Sequence, residues 1–195
     1  MHDYQRHLLQ LLFQKIQWPR AGAEIGVAAG ETSEALLREF PMLRLHMVDP
    51  WCSYSDGHPY RESGDGAARL SSRQQNATME TALGRTEFAV CRRVIHRMDS
   101  DAAADQIAPG SLDFVFIDGD HTLEGVRCDL ARWSPSLHSR GVLCGHDYGH
   151  PRDRRGLWGV SQAVNEFAAQ RGLAVRTGAG TLWWLESEHD ELEGQ

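Results

Sequence analysis

Long apolar runs are missing from this chain. No stretch approaches the roughly 18 to 20 apolar residues that span a bilayer, so a membrane-spanning helix is not expected. The N-terminal stretch MHDYQRHLLQLLFQK lacks the basic start, apolar middle and small-residue cleavage site of a secretion signal, and a cytoplasmic location is the expectation. Excess positive charge is missing too. At a formal net charge of −7 the chain has no broad attraction for phosphate backbones, although RDRR at 152–155 is locally basic, so neither nucleic acid nor a membrane surface is expected as a partner. Cys52, Cys91, Cys128 and Cys144 form no C-x-x-C pair, which excludes a zinc knuckle and a dithiol redox motif and leaves buried or idle thiols. Internal repeats and low-complexity segments are absent.

What is present suits a folding domain. With 41% hydrophobic and 24% charged residues, the 195-residue chain is too apolar to be disordered and long enough to bury a complete core. One domain over 1–195 is expected, with an N-terminal helix within 1–19, a core at 20–186 and an acidic tail at 187–195. Leu8, Leu9, Leu11, Leu12 and Ile16 recur at near-helical spacing until Trp18-Pro19, predicting an amphipathic helix over 3–17 that packs on the body or serves a homodimer.

Ala23–Val27 reads as a strand entering a small-residue turn, followed by a helix over 34–39 that Thr32 or Ser33 can cap. Further strands are expected at 43–48, 94–98, 112–117, 141–144, 173–177 and 181–186, with helices in 67–91, 101–107, 122–133 and 160–170 between them. LDFVFI at 112–117 is nearly continuously apolar, as a parallel strand covered on both faces must be. Alternation of strand and helix predicts an α/β fold: a Rossmann-like, doubly wound, mostly parallel seven-stranded sheet with helices on both faces and an antiparallel C-terminal hairpin. The polar segment 52–66 exceeds an ordinary connection and reads either as a lid or substrate loop or as disorder. Trp158, Trp183 and Trp184 read as core and sheet packing, and the loop of His150, Arg152, Arg154 and Arg155 as solvated or substrate-facing.

The first turn of such a sheet meets a helix N-terminus, where free N–H groups favour an anion and glycines allow close approach. Gly26 and Gly30 provide that opening, but G-x-G-x-x-G is not met, since Ala28 and Glu31 stand at its second and third glycine positions. Asp49 ends the second strand about twenty residues on, where a carboxylate can accept both ribose hydroxyls. Turn and acid together point to an adenosine-containing ligand.

In this order, E-I-G-V-x-x-G, V-D-P-W, F-I-D-G-D-H and G-H-D-Y resemble the class I S-adenosylmethionine-dependent methyltransferases. More narrowly, F-I-D-G-D-H-T-L-E-G-V with G-V-L-C-G-H-D-Y is similar to the small-molecule O-methyltransferases of the macrocin and cephamycin type, over roughly residues 20–186. The resemblance implies that Glu24, Gly26, Val27 and Gly30 surround the methionine part of the cofactor, that Asp49 binds ribose and that Trp51 flanks the nucleoside. Asp99 and Ser100 would lie near the adenine, and a helix cap accounts for them equally well.

Asp118 ends LDFVFI, and His146-Asp147 follow the next strand, at the sheet edge where open α/β folds bind ligands. These carboxylates, with His121 or His146, can hold a divalent ion in a mostly oxygen shell such as Mg2+ prefers, and related enzymes use such an ion. Catechol-type enzymes carry Asp-Asn where His146-Asp147 stand here. The expected metal set is Asp118, His146 and Asp147, and the expected catalytic set is His121, Asp118 and His146. Asp118 is also counted among the cofactor-binding residues, and either imidazole can take the proton of a small-molecule acceptor hydroxyl. Two other functions suit the turn and the acid: an NAD-dependent oxidoreductase and a non-catalytic nucleotide-binding subunit.

Overall fold

The computed structural model describes residues 1–187, so the expected acidic tail lies, apart from Ser187, outside the described residues. Seven strands, β1 (Ala21–Ile25), β2 (Arg44–Val48), β3 (Arg93–His96), β4 (Leu112–Ile117), β5 (Leu137–Gly145), β6 (Leu173–Thr177) and β7 (Trp183–Ser187), form one sheet in the order β3-β2-β1-β4-β5-β7-β6. Only β7 runs antiparallel to its neighbours, which gives the doubly wound sheet and closing hairpin read from the alternation. Strand order reverses between β1 and β4, opening a crevice at their carboxyl ends.

Among the described residues eight α-helices surround the sheet: α1 (Asp3–Ile16), α2 (Glu31–Glu39), α3 (Pro59–Glu62), α4 (Ser72–Arg85), α5 (Ser100–Ala104), α6 (Leu123–Trp133), α7 (Pro151–Arg154) and α8 (Val160–Arg171). The period-2 rule divides the apolar run of β4 between two cores. Phe114 and Phe116 pack with Leu8 and Leu12 of α1 and Leu36 and Leu37 of α2. Val115 and Ile117 pack on the opposite face with Leu130 and Trp133 of α6 and Val164 and Phe167 of α8. Each such side chain, fully buried, contributes roughly 1.5–3 kcal/mol.

One local expectation is corrected. α2 begins at Glu31 rather than Glu34, because Gly30, at φ +78°, occupies the N-cap in a left-handed conformation that glycine adopts without cost. The Thr32 and Ser33 hydroxyls are therefore free for tertiary bonds: Thr32 meets the Tyr4 hydroxyl at 3.0 Å and Gln5 Nε2 at 3.2 Å, and Ser33 donates to Glu24. Segment 52–66, read either as a lid or substrate loop or as disorder, folds back through α3, buries Tyr60 and Asp65, and puts Tyr54 and His58 in the wall of a cleft. Among the described residues, no helix is long and apolar enough to cross a membrane.

Candidate active site

A cleft of about 340 Å³ opens at the carboxyl ends of β1, β2 and β4, with Gly26, Ala28, Asp49, Tyr54, Ser100 and Asp118 in its wall. At Gly26 the backbone has φ +88°, and a Cβ there would stand 2.1 Å from the Asp118 carbonyl oxygen, so the turn after β1 approaches the turn after β4 only without a side chain. Asp49 clamps the other side of the cleft. Its Oδ2 accepts from the Ala28 N–H at 2.9 Å and its Oδ1 from the Trp51 N–H at 2.7 Å, while Trp51 Nε1 donates to the Ala28 carbonyl at 3.0 Å. Ala28 (φ +46°) and Trp51 (φ +41°) thereby hold left-handed conformations that non-glycine residues seldom take. Burial raises the Asp49 pKa against the lowering effect of these backbone bonds.

Trp51 itself is in the core beneath the turn and does not form part of the cleft wall. Glu24 and Val27 are likewise buried behind it. Burial pushes the Glu24 carboxyl up to about 8; the Ser33 bond opposes this, and the Asp118 and Asp49 charges add to it. Asp99 and Ser100 both line the cleft. Asp99 stands at the N-cap of α5, yet its side chain makes no capping bond, and the Ser100 hydroxyl links Asp129 to Trp133 Nε1. Asp129, a fully buried cleft residue that no motif singled out, is pushed up to about 7, chiefly by burial.

Beside the cleft, β4 and β5 bring Asp118, His121, His146 and Asp147 together. His121 Nδ1 lies 2.7 Å from Asp65 Oδ2, and its Nε2 lies 3.0 Å from Asp147 Oδ2 and 3.5 Å from Asp118 Oδ1. Neither contact at Nε2 is aligned as a hydrogen bond, so this buried nitrogen has no hydrogen-bond partner. His146 Nδ1 lies 3.4 Å from Asp147 and 3.6 Å from Asp118, and its Nε2 is 3.2 Å from the Thr181 hydroxyl. For both imidazoles burial acts to lower the pKa and the carboxylates more than reverse it; His121 rises well above its ordinary value and His146 to about 10. Burial acts to raise Asp147, but the two imidazoles hold it well below the usual carboxylate range. Asp65 is lowered in the same way, its bond to His121 outweighing burial.

Several neighbours carry no sequence motif. The Tyr4 ring of α1 lies 4.1 Å from the His146 ring. Trp158, expected in the core with Trp183 and Trp184, instead stacks between His121 at 4.3 Å and His150 at 4.6 Å, because Gly159 N bonds the His121 carbonyl and draws the preceding residue over the imidazole. Trp183 is buried as expected, and its Nε1 donates to the His146 carbonyl. Arg152 reaches across to segment 52–66: its Nη1 donates to the Gly64 carbonyl at 2.5 Å and its guanidinium lies 5.3 Å from the Trp158 ring.

Residues 23–148, more than half of the chain, match the family model described as a methyltransferase domain. The chain belongs to the methyltransferase domain family. Solved structures share the fold of this methyltransferase at low identity. The calicheamicin methyltransferase CalS11 has a TM-score of 0.65 and 15% identity over 94% of this chain and 78% of that one. The S-adenosylhomocysteine-bound methyltransferase PaMTH1 of Podospora anserina has a TM-score of 0.62 and 12% identity over 96% and 80%. An O-methyltransferase of Bacillus cereus in complex with S-adenosylhomocysteine has a TM-score of 0.60 and 17% identity over 95% and 81%. A curated relative, the uncharacterized protein y4gI of Sinorhizobium fredii, is 34% identical over 85 residues, which is 42% of this chain and only 9% of that protein's length.

In this methyltransferase Asp118 joins the two regions, lining the cleft while facing both imidazoles. A ligand in the cleft and a second molecule at the imidazoles would meet at that carboxylate. Such an arrangement suits a transfer between two bound partners.

Proposed function

We propose that this methyltransferase takes its methyl group from S-adenosylmethionine and delivers it to a hydroxyl of a small molecule, a sugar or natural-product scaffold, with a divalent ion at Asp118, His121 and Asp147. The observation that carries the reading is the shared position of Asp118, in the wall of the cleft and 3.5 Å from His121 Nε2. Donor atoms of Asp118, His121 and Asp147 all lie within 4.8 Å of one another. With two carboxylates around a buried imidazole nitrogen that lacks a hydrogen-bond partner, the residues fit a cation, and the oxygen-rich set suits magnesium. Here His121 takes the place in the metal set that the motifs assigned to His146.

When bound, the ion supplies Lewis acidity, lowering the pKa of the acceptor hydroxyl. The remaining roles fall to the chain. Asp49, already fixed by two backbone N–H groups, keeps lone pairs for ribose hydroxyls. Gly26 lets the turn after β1 close on the turn after β4 and so shapes the cleft for the ligand, and Glu24 lies behind the turn toward the methionine part. Asp99 and Ser100 border the adenine end. His146 receives the acceptor proton, while Tyr4 and Trp158 screen the two imidazoles from water.

Calorimetric titration with S-adenosylhomocysteine and with NAD tests the donor. Release of S-adenosylhomocysteine with a panel of hydroxylated small molecules, with and without magnesium, tests the acceptor class. Turnover that Asp118→Ala leaves unchanged would remove the site assignment.

A further inference from the structure

We propose that Asp65 is a positioning residue: it accepts the Nδ1 proton of His121 and thereby presents Nε2 to the space between Asp118 and Asp147. No motif marks Asp65, and it lies 56 residues from His121 in the chain. The proposal deepens the reading above and rests on it only for what the presented nitrogen serves.

The geometry is specific. Asp65 Oδ2 stands 2.7 Å from His121 Nδ1, with both side chains almost wholly buried. A carboxylate only accepts, so Nδ1 carries a proton in either charge state of the ring, and it is the Nε2 proton that a cation between Asp118 and Asp147 displaces. The second oxygen is committed elsewhere, since Oδ1 accepts from the Ala67 N–H at 2.8 Å. That bond fixes the carboxylate in its plane, and Trp158 stacked at 4.3 Å with an interplanar angle of 15° fixes the imidazole from above. Arg152 ties the same segment down through the Gly64 carbonyl. The imidazole therefore has one orientation, with Nε2 facing Asp147 at 3.0 Å. A carboxylate on the far nitrogen of a ligating histidine sets its tautomer and basicity.

Asp65→Asn separates this role from bulk packing. The Ala67 N–H needs an acceptor, so the amide oxygen must take the Oδ1 position, leaving the amide N–H to face His121 Nδ1. Nδ1 then becomes the acceptor and the proton moves to Nε2, where it blocks the donor atom without changing the volume of the side chain.

Two measurements on the full chain judge the idea. Proton NMR of the 15N-histidine-labelled protein, with each N–H assigned to Nδ1 or Nε2 by its couplings to the ring protons, is expected to show a downfield Nδ1–H signal that is absent in His121→Gln, which assigns it, and replaced by an Nε2–H signal in Asp65→Asn, whose backbone fingerprint stays native. Persistence of the signal in Asp65→Asn, or its absence from the wild type, overturns the proposal. Magnesium titration by calorimetry is expected to show affinity weakened about 10–100-fold in Asp65→Asn, with S-adenosylhomocysteine affinity unchanged. Equal magnesium affinity in both proteins overturns the proposal. A wild type that binds no magnesium removes the metal reading and leaves the N–H signal to decide the role of Asp65. Asp65→Glu, which restores a carboxylate, is expected to recover the signal in part.

Discussion

The Ser33 hydroxyl donates to the Glu24 carboxylate, joining the first turn of α2 to the strand beneath it. Glu24 is 2% exposed, and its carboxyl is pushed from 4.5 up to about 8, with burial as the largest cause. A carboxyl raised in the folded state costs stability as pH rises from its unfolded value through its folded one, because only the unfolded chain is then free to ionise it. Urea denaturation is expected to show the wild type losing stability between about pH 4.5 and pH 8 through this group. Glu24→Gln is expected to flatten that slope, gaining roughly 1–3 kcal/mol at pH 8, while weakening cofactor-product binding.

Asp49→Ala is expected to hurt twice. It strips the acceptors from the Ala28 and Trp51 N–H groups, at about 1–3 kcal/mol for each one left unpaired, and it frees two residues held at positive φ. Loss of the ribose bonds should weaken S-adenosylhomocysteine about 100-fold or more by calorimetry. Asp49→Asn keeps one acceptor and should fall between the two proteins.

His146 lies between Asp118 and Asp147, and its pKa is raised to about 10. A raised imidazole stabilises the fold fully below about pH 6.5 and loses that contribution as pH rises through 10. A base must be unprotonated, so turnover without added metal is expected to climb through the alkaline range toward an inflection near 10. Magnesium, by neutralising the same carboxylates, should move the inflection downward, and His146→Gln should abolish it. A profile with the same inflection in His146→Gln assigns the base elsewhere.

Gly26→Ala would place a methyl group 2.1 Å from the Asp118 carbonyl at φ +88°. The two turns must separate for it to fit. The variant is expected to fold, with roughly 1–3 kcal/mol lost, and to lose measurable S-adenosylhomocysteine binding, as thermal melts with and without ligand would show.

Much of the sheet was legible because its signals are local. LDFVFI coincides with β4, Leu112–Ile117, since a continuous apolar run between turns has few other places to go. Asp118, His121, His146 and Asp147 were legible because all four fall within four residues of the carboxyl end of β4 or β5. The start of α2 was not, because Thr32 and Ser33 look like caps and are used by Tyr4, Gln5 and Glu24, partners that only the tertiary fold supplies. Asp65 and Trp158 were illegible for the same reason: both reach His121 from segments without periodicity. Trp51 carries a motif position but turns inward, its indole N–H taken by the Ala28 carbonyl.

The central claim is that the cleft beside Asp49 and Asp118 holds the methyl donor. Calorimetric titration of the wild type with S-adenosylhomocysteine, alongside NAD, tests it most directly. Saturable one-to-one binding of S-adenosylhomocysteine, lost in Asp49→Ala and not matched by NAD, is the expected result. Binding of NAD in its place, or S-adenosylhomocysteine binding that Asp49→Ala leaves intact, would contradict it.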